Sequence, residues 1–224
     1  RTLVASQRLS GLHFWSWGYG YLYRVKTIVG TDTVATTTGF RKTEFARGMI
    51  MLNDRVMQVH GYAQRSTNEW PGVGSAVPAW LSDYSNSLLV ESGGNMVRWM
   101  HVTPWRQDVE SCDRVGLPQA LPAGDAEKTP SGRWWEQRME LMRDAIIYNR
   151  NSPSVMFYEC GNRRITAEQM ALMKALRNEY DPYGGRAIGS REMLDQPEAE
   201  YGGEMLNVNR SDTKPMWSME YCRD

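Results

Sequence analysis

The stretch "NMVRWMHVTPWRQDVESCDRVGLPQALPA", Asn95 to Ala123, decides how the rest of the chain is organised. Residues 95–102 form a short β-prone segment, residues 105–115 carry a helical pattern, and residues 117–123 return to a short apolar run. A strand, a helix and a second strand in that order is the unit from which parallel sheets are wound, because a parallel connection must cross back over the sheet. Further β-type segments lie outward of this unit at 56–61, 154–160, 186–190, 199–206 and 214–220, and further helical patterns near 78–92, 133–149 and 167–180. In "GRWWEQRMELMRDAIIYNRN", Trp135, Met139, Met142 and Ile146 make one apolar helical stripe, which is a core face. "TAEQMALMKALRNEYDP" opens on Thr166 as N-cap, has Glu168 in its first turn, and stops before Asp181-Pro182. The expected fold class is α/β: a (β/α)₈ TIM barrel, incomplete, with strands one to seven.

Before this alternation the chain has another character. Residues 19–38, "YGYLYRVKTIVGTDTVATTT", are rich in Tyr, Val, Ile and Thr around the turn signal "VGTDT". They are expected to be the closing hairpin of an all-β sandwich. Residues 1–38 are therefore assigned to the C-terminal strands of that sandwich and 39–224 to the barrel, truncated after its seventh strand. "MIMLNDRVMQVHGYA" between them predicts a hairpin turn at Asn53-Asp54.

Composition limits the partners. The 224 residues carry 26 Lys plus Arg against 26 Asp plus Glu, which gives no general electrostatic hold on nucleic acid or an acidic membrane. No apolar run reaches a membrane-spanning length, and residues 1–20 lack the order of a signal peptide. Cys112, Cys160 and Cys222 lack disulfide or metal-ligand arithmetic and are expected to be free thiols. Nine Trp and eleven Tyr fit a large aromatic core or a surface that packs on sugar rings.

In a barrel the functional groups sit where strands end. Those positions hold Gln64, Arg65 and Asn68; His101; Asp125 and Glu127; Asn162; Arg191 and Glu192; Tyr201 and Glu204; and Glu220 and Tyr221. A rim rich in carboxylates, with Asn and His beside them, is suited to glycoside cleavage, in which one carboxylate attacks or activates water and another protonates the leaving oxygen.

Several segments carry a resemblance. "GFRKTEFARGMIMLNDRVMQVHGYAQ", "NMVRWMHVTPWRQDVESCDRVGL", "YNRNSPSVMFYECGN" and "KPMWSMEYCRD" occur in the order of the corresponding blocks of glycoside hydrolase family 2, the β-galactosidase and β-glucuronidase group. "HFWSWGYGYLYRVKTIV" is similar to the last strands of that family's immunoglobulin-like middle domain. The resemblance implies a retaining exo-glycoside hydrolase acting on terminal β-linked sugars, β-galactoside first, in polysaccharide or oligosaccharide breakdown. It makes Glu220 the match to the nucleophile and Asn162 the match to the asparagine that bonds the sugar 2-OH. His101 matches a substrate-contacting histidine, Arg65 lies near another barrel-mouth histidine, and Tyr201 matches a tyrosine that bonds the nucleophile. The variants "GYAQRSTNEWP" and "WRQDVESCDRVG" resemble a branch from bacteria that degrade algal or plant polysaccharides, which suggests a periplasmic or secreted protein. No cofactor is implied. The segment "LPAGDAEK" departs from the family's acidic metal pattern, so no metal is expected. The partner implied is the carbohydrate substrate, with any homo-oligomer formed through regions outside this chain.

One departure bears on catalysis. In "SVMFYECGNRRIT", Ser154 to Thr166, the residue after Gly161-Asn162 is Arg163, where the family has its general acid/base glutamate. A guanidinium does not release its proton near neutral pH. Glu159, earlier in the segment, lies roughly 13 Å deeper and is expected to be a buried partner for an arginine. Glu204, ending the neighbouring sixth strand, is a weak alternative acid. The third explanation is that the acid/base has been lost, leaving a catalytically impaired or non-catalytic carbohydrate-binding site, and the sequence favours it.

Overall fold

In the computed structural model, which describes residues 4–65, 72–74, 76–124, 130–204 and 211–220, the chain forms three sheets. Asn68, Asp125, Glu127, Tyr221 and Cys222, singled out in the sequence, lie outside the described residues, as does the second half of "LPAGDAEK". Strands β1 (Tyr23–Val29) and β2 (Asp32–Thr38) make the antiparallel hairpin expected around "VGTDT". Strands β3 (Thr43–Ala46), β4 (Met49–Leu52) and β5 (Arg55–Val56) form an antiparallel meander. Its second turn is the predicted Asn53-Asp54, with φ of 52° and 65°. Such left-handed pairs match the twist of a two-residue hairpin, and Asn is among the few side chains that tolerate the conformation. Asn53 is also held by its side chain, whose Nδ2 donates to the Trp15 carbonyl at 2.9 Å while Oδ1 accepts from Lys42 N at 3.0 Å.

The third sheet is the barrel wall. It contains β6 (Gly61–Gln64), β7 (Met96–Trp99), β8 (Gln119–Pro122), β9 (Val155–Glu159), β10 (Ala187–Arg191), β11 (Gly202–Glu204) and β12 (Met216–Ser218), each pairing in parallel with its neighbour in chain order. Helices α1 (Ala79–Glu91), α2 (Arg106–Val115), α3 (Gly132–Asn149) and α4 (Ala167–Tyr180) fall within a residue or two of their expected places. Parallel strands in sequential order, crossed by helices, are the incomplete TIM barrel that the alternation predicted.

The first barrel strand is a correction. The sequence placed it at 56–61, but that stretch holds β5 and an extended segment, and the barrel begins at Gly61. Gly61 packs so closely on β7 that a Cβ there would lie 1.7 Å from the Met96 carbonyl oxygen. Backbone proximity, which no apolar count reveals, sets the start of the strand.

Two cores flank the sheet. On the helix side Met142 and Ile146 of α3 and Met170 and Met173 of α4 pack against Leu121, Tyr158 and Ile188, with Trp135 and Met139 partly buried beside them. On the inner side Met96, Ala120, Phe157, Ala187, Tyr201 and Trp217 meet Ile50, Leu52 and Trp15. Trp15 is fully buried, and its indole donates to the Asp113 carbonyl at 2.8 Å. α4 starts with a capping box: Thr166 Oγ1 accepts from Gln169 N, and Gln169 Oε1 accepts from Thr166 N, both at 3.1 Å. Cys112 and Cys160 are buried free thiols.

Between β8 and β9 the register slips, Gln119 facing Val155 but Ala120 facing Phe157, so Met156 is an extra residue. Such a bulge changes which residues share a face. Beyond it Phe157 lies on the inner side and Tyr158 on the helix side, and the alternation carries Glu159 inward with Phe157.

Candidate active site

Alternation along β7 puts Met96 and Arg98 on the inner face while Val97 and Trp99 pack outward. Arg98, 1% exposed, is a charge in a strand that is otherwise apolar, and such a charge persists only when paired. Its Nε donates to Glu159 Oε2 at 2.7 Å and its Nη2 to Glu159 Oε1. Glu159 is fully buried, as expected of a structural partner for an arginine. The same guanidinium extends upward: Nη1 donates to Glu220 Oε1 and Nη2 to Asn162 Oδ1, each at 2.9 Å.

His101 joins this group just past β7. Its Nδ1 lies 3.4 Å from Arg98 Nη2 and its Nε2 lies 3.6 Å from Glu220 Oε1. The ring thus bridges the guanidinium and the carboxylate, Nδ1 toward Arg98 and Nε2 toward Glu220. From β10, which pairs with β9, Arg191 Nη1 donates to Asn162 O at 3.0 Å and to Asn162 Oδ1 at 3.2 Å. Ser190 Oγ donates to the carbonyls of Gly161 and Arg163 at 3.0 and 2.9 Å. The end of β10 thus clips the turn after β9 into place.

The Glu220 carboxyl feels opposed effects. Burial pushes its pKa up, but the Arg98 hydrogen bond and charge, with His101 and Arg191 behind them, outweigh it and hold the group below the ordinary glutamate value. Burial likewise works against the charge on Arg98, and Glu159 and Glu220 more than restore it. Replacing Arg98 by methionine is expected to destabilise the fold by about 3–5 kcal/mol, because Glu159 keeps its burial and loses its cation. Denaturant unfolding of the two proteins measures this, and a loss below about 1 kcal/mol contradicts it.

A cavity of about 1200 Å³ runs between the edge strands β6 and β12, and Arg65, Arg98, His101, Trp217 and Glu220 are among its walls. Arg65, His101, Asn162 and Glu220, named from the sequence, therefore gather at one end of the barrel, three of them joined through Arg98. Arg163 follows Asn162 at the rim and is exposed.

Two placements are corrections. Tyr201 precedes β11 rather than following it; it is fully buried between Phe157 and Trp217, and its hydroxyl donates to the Tyr158 carbonyl at 3.3 Å. A side chain with no exposed surface at the foot of a strand is core, and its hydroxyl is turned to the Tyr158 carbonyl rather than to Glu220. Glu204 pairs in register with Ser218 and is 3% exposed, so it lies two residues, roughly 6.6 Å, below Glu220 instead of level with it. Arg98 was missed as a site residue, although an arginine inside "MVRW" was the signal available. Among the described residues no group of three or more His, Cys, Asp and Glu is placed to hold a metal ion, and no helix is long and apolar enough to cross a membrane.

No family model matches the chain. It is 32% identical over 184 residues to a β-glucuronidase of Formosa agariphila, covering 79% of this chain and 19% of that protein. A β-galactosidase of Psychromonas ingrahamii is 27% identical over 230 residues, covering 93% of this chain and 22% of the relative. In three dimensions the chain superposes with a TM-score of 0.79 and 28% identity on the structure of a β-glucuronidase from glycoside hydrolase family 2, over 85% of this chain and 21% of that one. The chain belongs to glycoside hydrolase family 2. It spans about a fifth of the length of the family 2 relatives it matches. The seven-stranded parallel sheet is accordingly the family 2 barrel wall as far as these residues carry it.

Proposed function

We propose that the chain is part of a retaining β-glycosidase that releases terminal β-linked sugars, with Glu220 as the nucleophile. One observation carries the proposal: at the mouth of the barrel an anionic Glu220 is held at 2.9 Å by Arg98, which also holds Asn162, with His101 beside it. In the reaction a Glu220 oxygen attacks the anomeric carbon, the glycosidic C–O bond breaks, and water later releases the sugar from the ester. Asn162 and His101 hold sugar hydroxyls, and Arg65 lies at the entrance. A β-galactoside is the first substrate, in line with the name of the Psychromonas relative; the name of the Formosa relative makes a β-glucuronide its competitor. Residues 1–38 belong, in this proposal, to a β-sandwich whose remaining strands cover the exposed Val25, Ile28, Val29 and Val34 of the hairpin, and residues 39–224 to the barrel.

The test is trapping. A 2-fluoro β-galactoside or β-glucuronide with a good leaving group should leave one sugar covalently attached to the intact polypeptide, on the peptide that contains Glu220. A pH profile adds a second check. An acid with a depressed pKa stays ionised as pH falls, so the acid limb of kcat/KM should lie below the ordinary glutamate value of about 4.3. An acid limb near pH 6 would mean that another group is titrating.

A second reading rests on Arg163. Glu159 is committed to Arg98 and Glu204 is buried below the rim, so neither described carboxylate is placed to protonate a leaving oxygen. That favours a catalytically impaired or purely carbohydrate-binding site on the same scaffold. Sugar binding without a trapped adduct would select the purely binding form, and a trapped adduct without disaccharide turnover the impaired one.

A further inference from the structure

We propose that Arg191 is a positioning residue that, together with Arg98, fixes which way the Asn162 amide faces. The inference rests on the sugar-binding role proposed for Asn162 and adds the device that sets its polarity. An asparagine amide has one accepting and one donating end, and the two are nearly equal in shape. Here the end turned toward Arg98 and Arg191 meets two guanidiniums, at 2.9 and 3.2 Å. Guanidiniums only donate, so that end must be the oxygen, and the reversed amide would set N–H groups against N–H groups. The NH₂ is consequently turned away from both arginines and acts as a donor. Arg191 does more than fill space, because the same Nη1 also grips the Asn162 carbonyl at 3.0 Å. It is 6% exposed, and Ser190 beside it holds the carbonyls on either side of Asn162. Backbone and amide are therefore fixed by one strand end. The ligand feature recognised is a hydroxyl oxygen on the carbon next to the anomeric centre, which accepts from that NH₂.

The experiment compares dissociation constants of phenyl β-thiogalactoside and phenyl β-thioglucuronide, which bind without being cleaved, with those of their 2-deoxy counterparts. The intact polypeptide should prefer the 2-hydroxy ligand by about 3- to 10-fold, and Arg191→Met should bring that ratio close to one. Weakening of both ligands by the same factor, or an unchanged ratio, overturns the proposal, since a merely structural arginine would leave the preference alone. Should Arg191→Met not fold, Arg191→Gln carries the test: it keeps a long polar side chain whose amide can accept as well as donate and so no longer dictates the Asn162 polarity, and a ratio equal to the parent's overturns the proposal. A parent that is labelled on Glu220 yet shows no preference refutes the clamp alone. A parent that binds none of these ligands and takes no label refutes the functional proposal and the clamp with it.

Discussion

Exchanging Glu220 for glutamine is expected to lower turnover on the order of 10⁴–10⁶-fold and to abolish covalent labelling, with the fold retained. Glutamine keeps the shape of the side chain and an oxygen that can accept from Arg98, which now donates to Glu220 at 2.9 Å. What it removes is the negative charge and with it the proposed nucleophile. Intact-mass spectra of parent and variant after exposure to a 2-fluoro glycoside make the comparison direct. The same adduct on both proteins would take the assignment away from Glu220.

The second large effect has the opposite sign. Placing glutamate at Arg163 is expected to raise cleavage of an unactivated disaccharide by about 10²–10⁴-fold, or roughly 3–5 kcal/mol of barrier. A carboxylic acid there can protonate the leaving oxygen as the glycosidic bond breaks, and a guanidinium cannot. The gain should depend on the leaving group. A nitrophenyl glycoside departs as a stable anion and needs little protonation, so formation of the glycosyl-enzyme from it should change far less. In the unaltered protein, added azide should speed turnover of such activated substrates, because a small anion attacks the ester without a general base. Ordinary disaccharide turnover by the unaltered protein, with no improvement in Arg163→Glu, would mean that another residue is the acid.

Much of the fold was legible because its signals are local. The stripe of Trp135, Met139, Met142 and Ile146 and the Thr166 cap depend on residues within a few turns of one another, and α3 and α4 lie where those patterns put them. Strand ends were harder. Whether Tyr201 stands at the foot or the top of β11 depends on where pairing with β10 begins, and the strand starts one residue after it. Of the candidate site, Asn162 and Glu220 were named from the sequence as residues that close strands, and the structure brings both onto Arg98. Arg98 itself was not named, because its importance lies in partners 61 and 122 residues away, which only the wound sheet brings together. The bulge at Met156 belongs with it: one unpaired residue in β9 turns Glu159 toward Arg98, and nothing in "VMFYE" announces it.

If Glu220 is the nucleophile proposed above, the sharing of Arg98 between two carboxylates governs how charge moves during a catalytic cycle. One guanidinium and two carboxylates leave the Arg98–Glu159–Glu220 group with a single surplus negative charge in the resting site. A sugar approaching an oxocarbenium-like transition state would bring a developing positive charge to that surplus. Once Glu220 becomes an ester its charge is gone, and a guanidinium only 1% exposed would be stranded if it had no other anion. Glu159, wholly buried beneath it, remains as its counter-ion. On the proposed assignment, the group therefore passes from net negative to neutral as the intermediate forms and back again on release, and at no stage leaves an uncompensated cation inside the barrel.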